Sequence, residues 1–299
     1  MPSRPAVICI IIFWFSTLGL VLYRDVWPRL AASGPPPIAV DLSDEASQFV
    51  PVRWRVLRGD QQVGKLTTQM AYIDADDTFE FWSRYYQVEF DFGWARVAIP
   101  ELITTTRLSR TGQLREQGLD GKLVLKIEDR GQFLTVAEAE AKVRGRVVAG
   151  LFTGRCEIDA PPPFTVKRDL DPIPVKEGQA LNPLQPVNRI AHLRPGRRWM
   201  VHEVNPLGEA LAALFQEQVG KRGLRVPEEP RDAFLAEVGS SPELLRWGLP
   251  GRENESVCWV IDYRRGEATA RTWVQVSDGK VLRQEAMLMG DRLALEREY

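Results

Sequence analysis

Residues 52–64 read VRWRVLRGDQQVG. Val52, Trp54 and Val56 alternate with Arg53 and Arg55, a period of two that belongs to a strand with one apolar face. Gly59-Asp60 supplies turn chemistry, and residues 63–72 read as the returning strand. An antiparallel hairpin is therefore expected here, and the same pattern recurs along the chain.

Beyond a turn at residues 74–77, residues 79–92 set Val88, Phe90 and Phe92 on one face and Gln87, Glu89 and Asp91 on the other. Strands are expected at 103–109, 114–119 and 122–128, with Thr111-Gly112 as a turn, then at 132–137 and 143–158. These make a first β half, residues 50–159. Ala160-Pro161-Pro162-Pro163 opens a Pro-rich crossover, 160–195, where Pro172, Pro174, Pro183 and Pro186 disfavour regular ladders. Only a short extended piece at 164–166 is expected within it.

A second β half, 196–299, contains one soluble helix at 206–219. Leu207, Leu211, Leu214 and Phe215 recur at helical spacing, and Asn205 with Pro206 supplies cap and first-turn chemistry. Strands follow at 233–238, 257–263, 268–276, 280–286 and 291–297, with Asp278-Gly279 as a hairpin signal. The halves echo each other: Arg53-Trp54-Arg55-Val56 and Arg198-Trp199-Met200-Val201 open them, and each holds a Gly turn followed by Leu, Arg and Glu. A duplication is one reading of this echo. The expected fold class is mainly β (α+β): strongly curved antiparallel sheet of half-barrel type, with one amphipathic helix packed on it.

Toward the N-terminus the grammar changes. Residues 5–23 carry no charge and hold Ile10, Ile11, Ile12, Phe13, Trp14 and Phe15. At about 1.5 Å per residue they nearly span a bilayer core of about 30 Å. Tyr23 and Trp27 suit the interface. The run is longer than the apolar part of a cleaved signal peptide, so residues 1–30 are expected to be an uncleaved transmembrane anchor. Residues 31–49, with Gly34-Pro35-Pro36-Pro37, read as a tether. The expectation is a single-pass cell-membrane protein whose C-terminal domain lies on the extracytoplasmic, periplasmic side.

The 39 basic and 40 acidic side chains give a net charge of -1, without the basic excess of a nucleic-acid protein. Cys9 lies in the apolar run; Cys156 and Cys258 lie in strand-like settings and would have the option of pairing in an oxidising compartment. No Cys-x-x-Cys, His-Glu-x-x-His, Gly-x-Ser-x-Gly or phosphate loop occurs, so no metal or cofactor is expected. His192 and His202 are the two histidines and read as structural. Asp74, Asp76 and Asp77 read as a solvated turn rather than a calcium loop. Glu89 and Asp91 on one strand face are the pair a carbohydrate-active hydrolase would need, and a polar outer face accounts for them equally.

The segments Cys258-Trp259-Val260-Ile261-Asp262-Tyr263, Ala270-Arg271-Thr272-Trp273-Val274 and Asp278-Gly279-Lys280-Val281-Leu282-Arg283 resemble the closing hairpins of exported bacterial half-barrel proteins related to the lipoprotein-localisation carriers. The resemblance implies an open curved sheet, apolar on its concave side and plugged by a helix. It implies a hydrophobic guest: lipid, acyl chain or lipoprotein. Trp54, Tyr72, Trp82, Trp199, Trp259 and Trp273 are the aromatic candidates to line such a site. A structural or scaffold subunit of a cell-envelope complex, with envelope protein partners, is the alternative expectation. No catalytic residue is expected under either.

Overall fold

A computed structural model describes residues 50–91, 95–110, 112–129, 131–162, 165–175, 187–190, 193–201, 204–220, 234–249, 251–265, 268–288 and 291–298, together with Trp14 and Thr17. Trp14 and Thr17 are helical; the rest of the expected anchor and all of the tether lie outside the described residues, as do His192, His202 and Cys9. Among the described residues no helix is long and apolar enough to cross a membrane.

The first half is an up-and-down meander: β1 (Val52–Arg58), β2 (Gln61–Ile73), β3 (Thr78–Asp91), β4 (Ala95–Ser109), β5 (Leu114–Asp129), β6 (Gln132–Val148), β7 (Leu151–Asp159) and β8 (Val166–Pro174). The second half holds β9 (Arg198–Val201), helix α1 (Pro206–Gly220), β10 (Phe234–Val238), β11 (Glu243–Leu249), β12 (Arg252–Arg265), β13 (Ala268–Gln275), β14 (Val281–Leu288) and β15 (Asp291–Arg297). All fifteen strands form one sheet, in the order β8-β7-β6-β5-β4-β3-β2-β1-β15-β14-β13-β12-β10-β9, with β11 paired to β12. The first and last strands meet in its middle: Trp54 lies opposite Arg297, and Val56 opposite Leu295.

Several sequence expectations need correction. Strands expected at 114–119 and 122–128 are one strand, β5. Gly121 lies inside it: a Cβ there would come within 3.2 Å of the Glu101 carbonyl oxygen and Leu102 Cα, and within 2.6 Å of Leu102 Cδ1, so the glycine serves close strand packing. Residues 132–137 and 143–148 are likewise one strand, β6, and the chain turns at Ala149-Gly150, where both residues have positive φ. The crossover contains a paired strand, β8, in spite of Pro172 and Pro174. It sits at the sheet's edge, where a missing N–H costs no ladder bond. Strand β11 lies where the sequence pattern gives no strand. The expected choice of pairing for Cys156 and Cys258 resolves to two free, buried thiols in different apolar clusters.

Period two divides the sheet into two faces. Trp54, Leu66, Phe79, Phe81, Val143, Phe152, Trp199, Ala236 and Ile261 share the first face. Trp54, Leu66 and Phe79 are fully buried on it. Among the described residues helix α1 covers the β5–β8 end, where Leu207, Ala210 and Leu214 pack on Val143, Phe152, Cys156 and Leu170, with Leu119 of β5 beside them. Toward the β1–β15 seam this face is buried by curling of the sheet itself: one cluster joins Trp199, Phe234 and Val238 with Trp54, Leu66 and Val88. Curved sheets bury their own concave side in this way. Val187, Ile190 and Leu193 of the crossover add to the cover.

The helix start follows the sequence. Asn205 Oδ1 accepts the Gly208 N–H at 3.0 Å, and Gln117 Oε1 on β5 accepts the Leu207 N–H at 3.2 Å. Two otherwise orphaned donors are thereby satisfied. Asn205→Ala is expected to lower stability by about 1 kcal/mol, read from the midpoint of denaturant unfolding.

The convex face holds a small second core. Leu245, Trp247, Cys258, Val260, Trp273 and Leu282 pack there beneath β11. Beside it lies a buried ionic cluster. Arg55 pairs with Glu296 and donates to Gly248 C=O at 2.6 Å. Glu296 also accepts the Gly248 N–H at 3.0 Å and Arg283 at 2.8 Å. Strand β11 thus closes over the β1–β15 seam through charge as well as through apolar packing.

Candidate functional site

The concave face of β2–β7 changes character along the strands. Residues on this face from Gly64 of β2 to Ile158 of β7 carry one charged side chain among those described, Asp129, at the far end of β5. The reverse face of the same strands is densely charged: Lys122 pairs with Glu138 at 2.9 Å, Arg96 with Asp91 at 2.9 Å, and Arg84 with Glu101. Arg96 also lies 4.2 Å over the Phe133 ring. One side of this sheet is built for water and the other is not.

Helix α1 and the curled sheet cover only part of the apolar side. On the far ends of β4, β5 and β6, Val97, Leu102, Leu123, Leu125, Ile127 and Leu134 lie on the concave side and belong to none of the packed clusters. Leu123 is 42% exposed and Leu134 50%. Ala137, Ala139 and Ala141 continue the surface on β6 with short side chains. β7 ends at Asp159, opposite Glu140, so among the described residues β6 has no neighbour on that side beyond this point. From Gln117 to Ile127 the surface runs along eleven residues of β5, about 33 Å end to end at ~3.3 Å per step.

At its inner end the same face turns polar without becoming charged. Ser83 and Thr104 lie directly opposite each other, Thr68 lies opposite Ser83, and Thr106 lies opposite Gln117. The Thr68 hydroxyl accepts the Trp54 indole N–H at 2.9 Å, and Gln117 holds the helix start. Ser83 and Thr106, 5% and 7% exposed, make no hydrogen bond to another described residue through their hydroxyls. Tyr85 is next to Ser83 on this face, and burial pushes its phenol above the ordinary value.

The six aromatic candidates do not converge. Trp54, Trp199 and Trp259 share the large concave cluster, Tyr72 packs on the neighbouring Phe79–Phe81 cluster, and Trp273 belongs to the convex core. Trp82 is partly buried on the convex side, across from Thr105. Trp247, not among the candidates, joins Trp273 and donates its indole N–H to Ser256 at 3.1 Å. The surface left open is aliphatic. Its signal in sequence is the alternation of Leu119, Gly121, Leu123, Leu125 and Ile127 with Asp120, Lys122, Val124, Lys126 and Glu128, which Val124 alone interrupts.

The remaining candidates fall elsewhere. Glu89 and Asp91 lie on the charged convex face, where Lys126 and Arg96 meet them separately. Asp76 and Asp77 form ion pairs with Arg107 and Arg110. Among the described residues no group of three or more His, Cys, Asp or Glu could hold a metal. Cys258 lies in the convex core, and burial pushes its thiol up to about 11.

No protein-family model matches the chain, and no curated protein matches it in sequence. Among solved structures it is similar to a beta-barrel-like protein of the domain of unknown function DUF1849 from Brucella abortus. That similarity is at 9% identity and a TM-score of 0.35, covering 83% of this chain and 95% of that one.

Proposed function

We propose that this protein is a membrane-anchored extracytoplasmic binder of an acyl chain or comparable hydrophobic guest, held on the concave face of its curved sheet. The observation that carries the reading is the uncharged, partly exposed aliphatic surface of β4–β6, backed by ion pairs on the reverse side. Burying apolar surface is worth about 25 cal/mol per Å², so leaving Leu123 and Leu134 in water is a standing cost that a guest removes. The uncharged residues 5–23 support the anchor, and the tether sets the domain off from the bilayer. Kinship with lipoprotein-localisation carriers belongs to the same reading and rests on the hairpin residues quoted above.

The test uses the full chain in lipid nanodiscs with a photoactivatable acyl probe. Adducts are expected on β4–β6, and Leu123→Glu is expected to cut them at least about tenfold, because a charge placed on this surface is costly to bury under a hydrocarbon chain. The unfolding midpoint should stay nearly unchanged, since Leu123 packs in no cluster. Absence of adducts from the wild type would sink the reading. Co-purification of an envelope protein in place of lipid would favour the scaffold alternative. A C-terminal tag that an impermeant reagent fails to reach from outside the cytoplasm would overturn the topology.

A further inference from the structure

From the hydroxyl row inside the curled sheet, we infer that the guest is an amphiphile with an uncharged, hydrogen-bonding head group, an acylglycerol or long-chain alcohol rather than a fatty acid or phospholipid. This rests on the acyl-binding reading and specifies its ligand. The head group lies against Ser83, Thr104 and Thr106, and the chain runs outward over Leu102, Leu123 and Leu125.

Three observations combine. First, the row and the open aliphatic surface are successive positions of the same strand faces: Thr106, Thr104 and Leu102 on β4, and Gln117, Leu119, Gly121, Leu123 and Leu125 on β5. A molecule lying along the strands meets both in turn. Second, Ser83 and Thr106 are more than nine-tenths buried as residues, their hydroxyls make no hydrogen bond to another described residue, and neither oxygen is among the fully buried atoms left without a partner, so each keeps an accessible side. A hydroxyl that has an accessible side and no partner within the chain is open to a hydrogen bond from a bound molecule. Each hydroxyl both donates and accepts, which matches the ester carbonyls and free hydroxyls of a glyceride. Third, no cation faces this row from β2–β7 among the described residues; on the same concave face Arg297 of β15 lies 6.0 Å over the Trp54 ring and donates to Asn188 Oδ1 at 2.7 Å. Arg107 of the same strand points to the other side, toward Asp76, Glu80 and Glu116. A carboxylate or phosphate drawn against Ser83, Thr104 and Thr106 would lose its water and meet no counter-charge from β2–β7 among the described residues.

The experiment compares two photoactivatable probes of equal chain length, a monoacylglycerol and a fatty acid, on the full chain in nanodiscs at pH 8. There the carboxyl is ionised. The monoacylglycerol is expected to give at least about tenfold more adducts on β4–β6. Ser83→Ala with Thr106→Val is expected to bring that ratio close to one, by lowering monoacylglycerol adducts while fatty-acid adducts hold. Should the double variant fail to fold, Ser83→Ala alone is expected to shift the ratio in the same direction. Equal labelling of the wild type, or preference for the fatty acid, overturns the head-group assignment and leaves acyl binding standing. No labelling by either probe defeats the acyl reading itself, and the head-group assignment with it.

Discussion

Glu296→Ala is expected to cost about 3–5 kcal/mol of folding stability, the range for removing one partner of a buried ion pair. Glu296 is 2% exposed and serves three partners: Arg55, Arg283 and the Gly248 N–H. Its loss strands the Arg55 guanidinium, itself 8% exposed, with Gly248 C=O as its remaining neutral partner in this cluster. It also loosens β11 from the seam, exposing Trp247 and Leu245. Denaturant unfolding measures the loss. Replacing both partners, Arg55→Met with Glu296→Leu, should recover much of it, because the stranded charge is gone. A single-variant loss below about 1 kcal/mol would mean that water reaches the cluster and screens it.

Trp54→Ala is expected to be comparably severe, at about 3–5 kcal/mol. The ring is fully buried in the concave cluster, and its indole N–H is the donor to the Thr68 hydroxyl. Truncation leaves a large cavity where the two half-sheets meet. Trp54→Phe keeps most of the volume and gives up the hydrogen bond, for about 1–3 kcal/mol. The variant also separates core from site. At a temperature where Trp54→Ala remains folded, acyl labelling of β4–β6 should match the wild type. A selective loss of labelling would instead place the guest against this ring.

The hairpin pattern was readable because one side of each strand meets water and the other does not. Gly59-Asp60 and Asp278-Gly279 mark real turns, and α1 begins at its Asn205 cap. Local signals misled where tertiary packing overrode them. Asp120-Gly121 has turn chemistry, yet Leu102 demands a glycine beneath it within a continuous strand. Pro172 and Pro174 argue against a ladder only if the strand is internal, and β8 is at an edge. Arg55 looked like a solvent-facing residue of an alternating strand. It is buried because β11, from 193 positions away, folds over it. The site was obscured for a different reason. Attention to aromatic residues selects cores, since large rings fill interiors; the open surface consists of leucines, alanines and hydroxyls whose identity is ordinary and whose placement alone is informative.

The pairing of β1 with β15 bears on how the molecule is made. A chain emerging N-terminus first presents β1 long before its partner exists, so one flank of the eight-strand meander stays unzipped until β15 has been delivered. Loss of only the last nine residues would leave two half-built fans with bare flanks, each prone to sticking to its like. Conversely, Glu298 N–H already bonds Arg53 C=O at 2.8 Å. A short splice from the end of β15 directly to the start of β1, with the anchor and tether moved to a new opening cut in the crossover, would put the central pair next to each other in synthesis order and turn its closure into a local one.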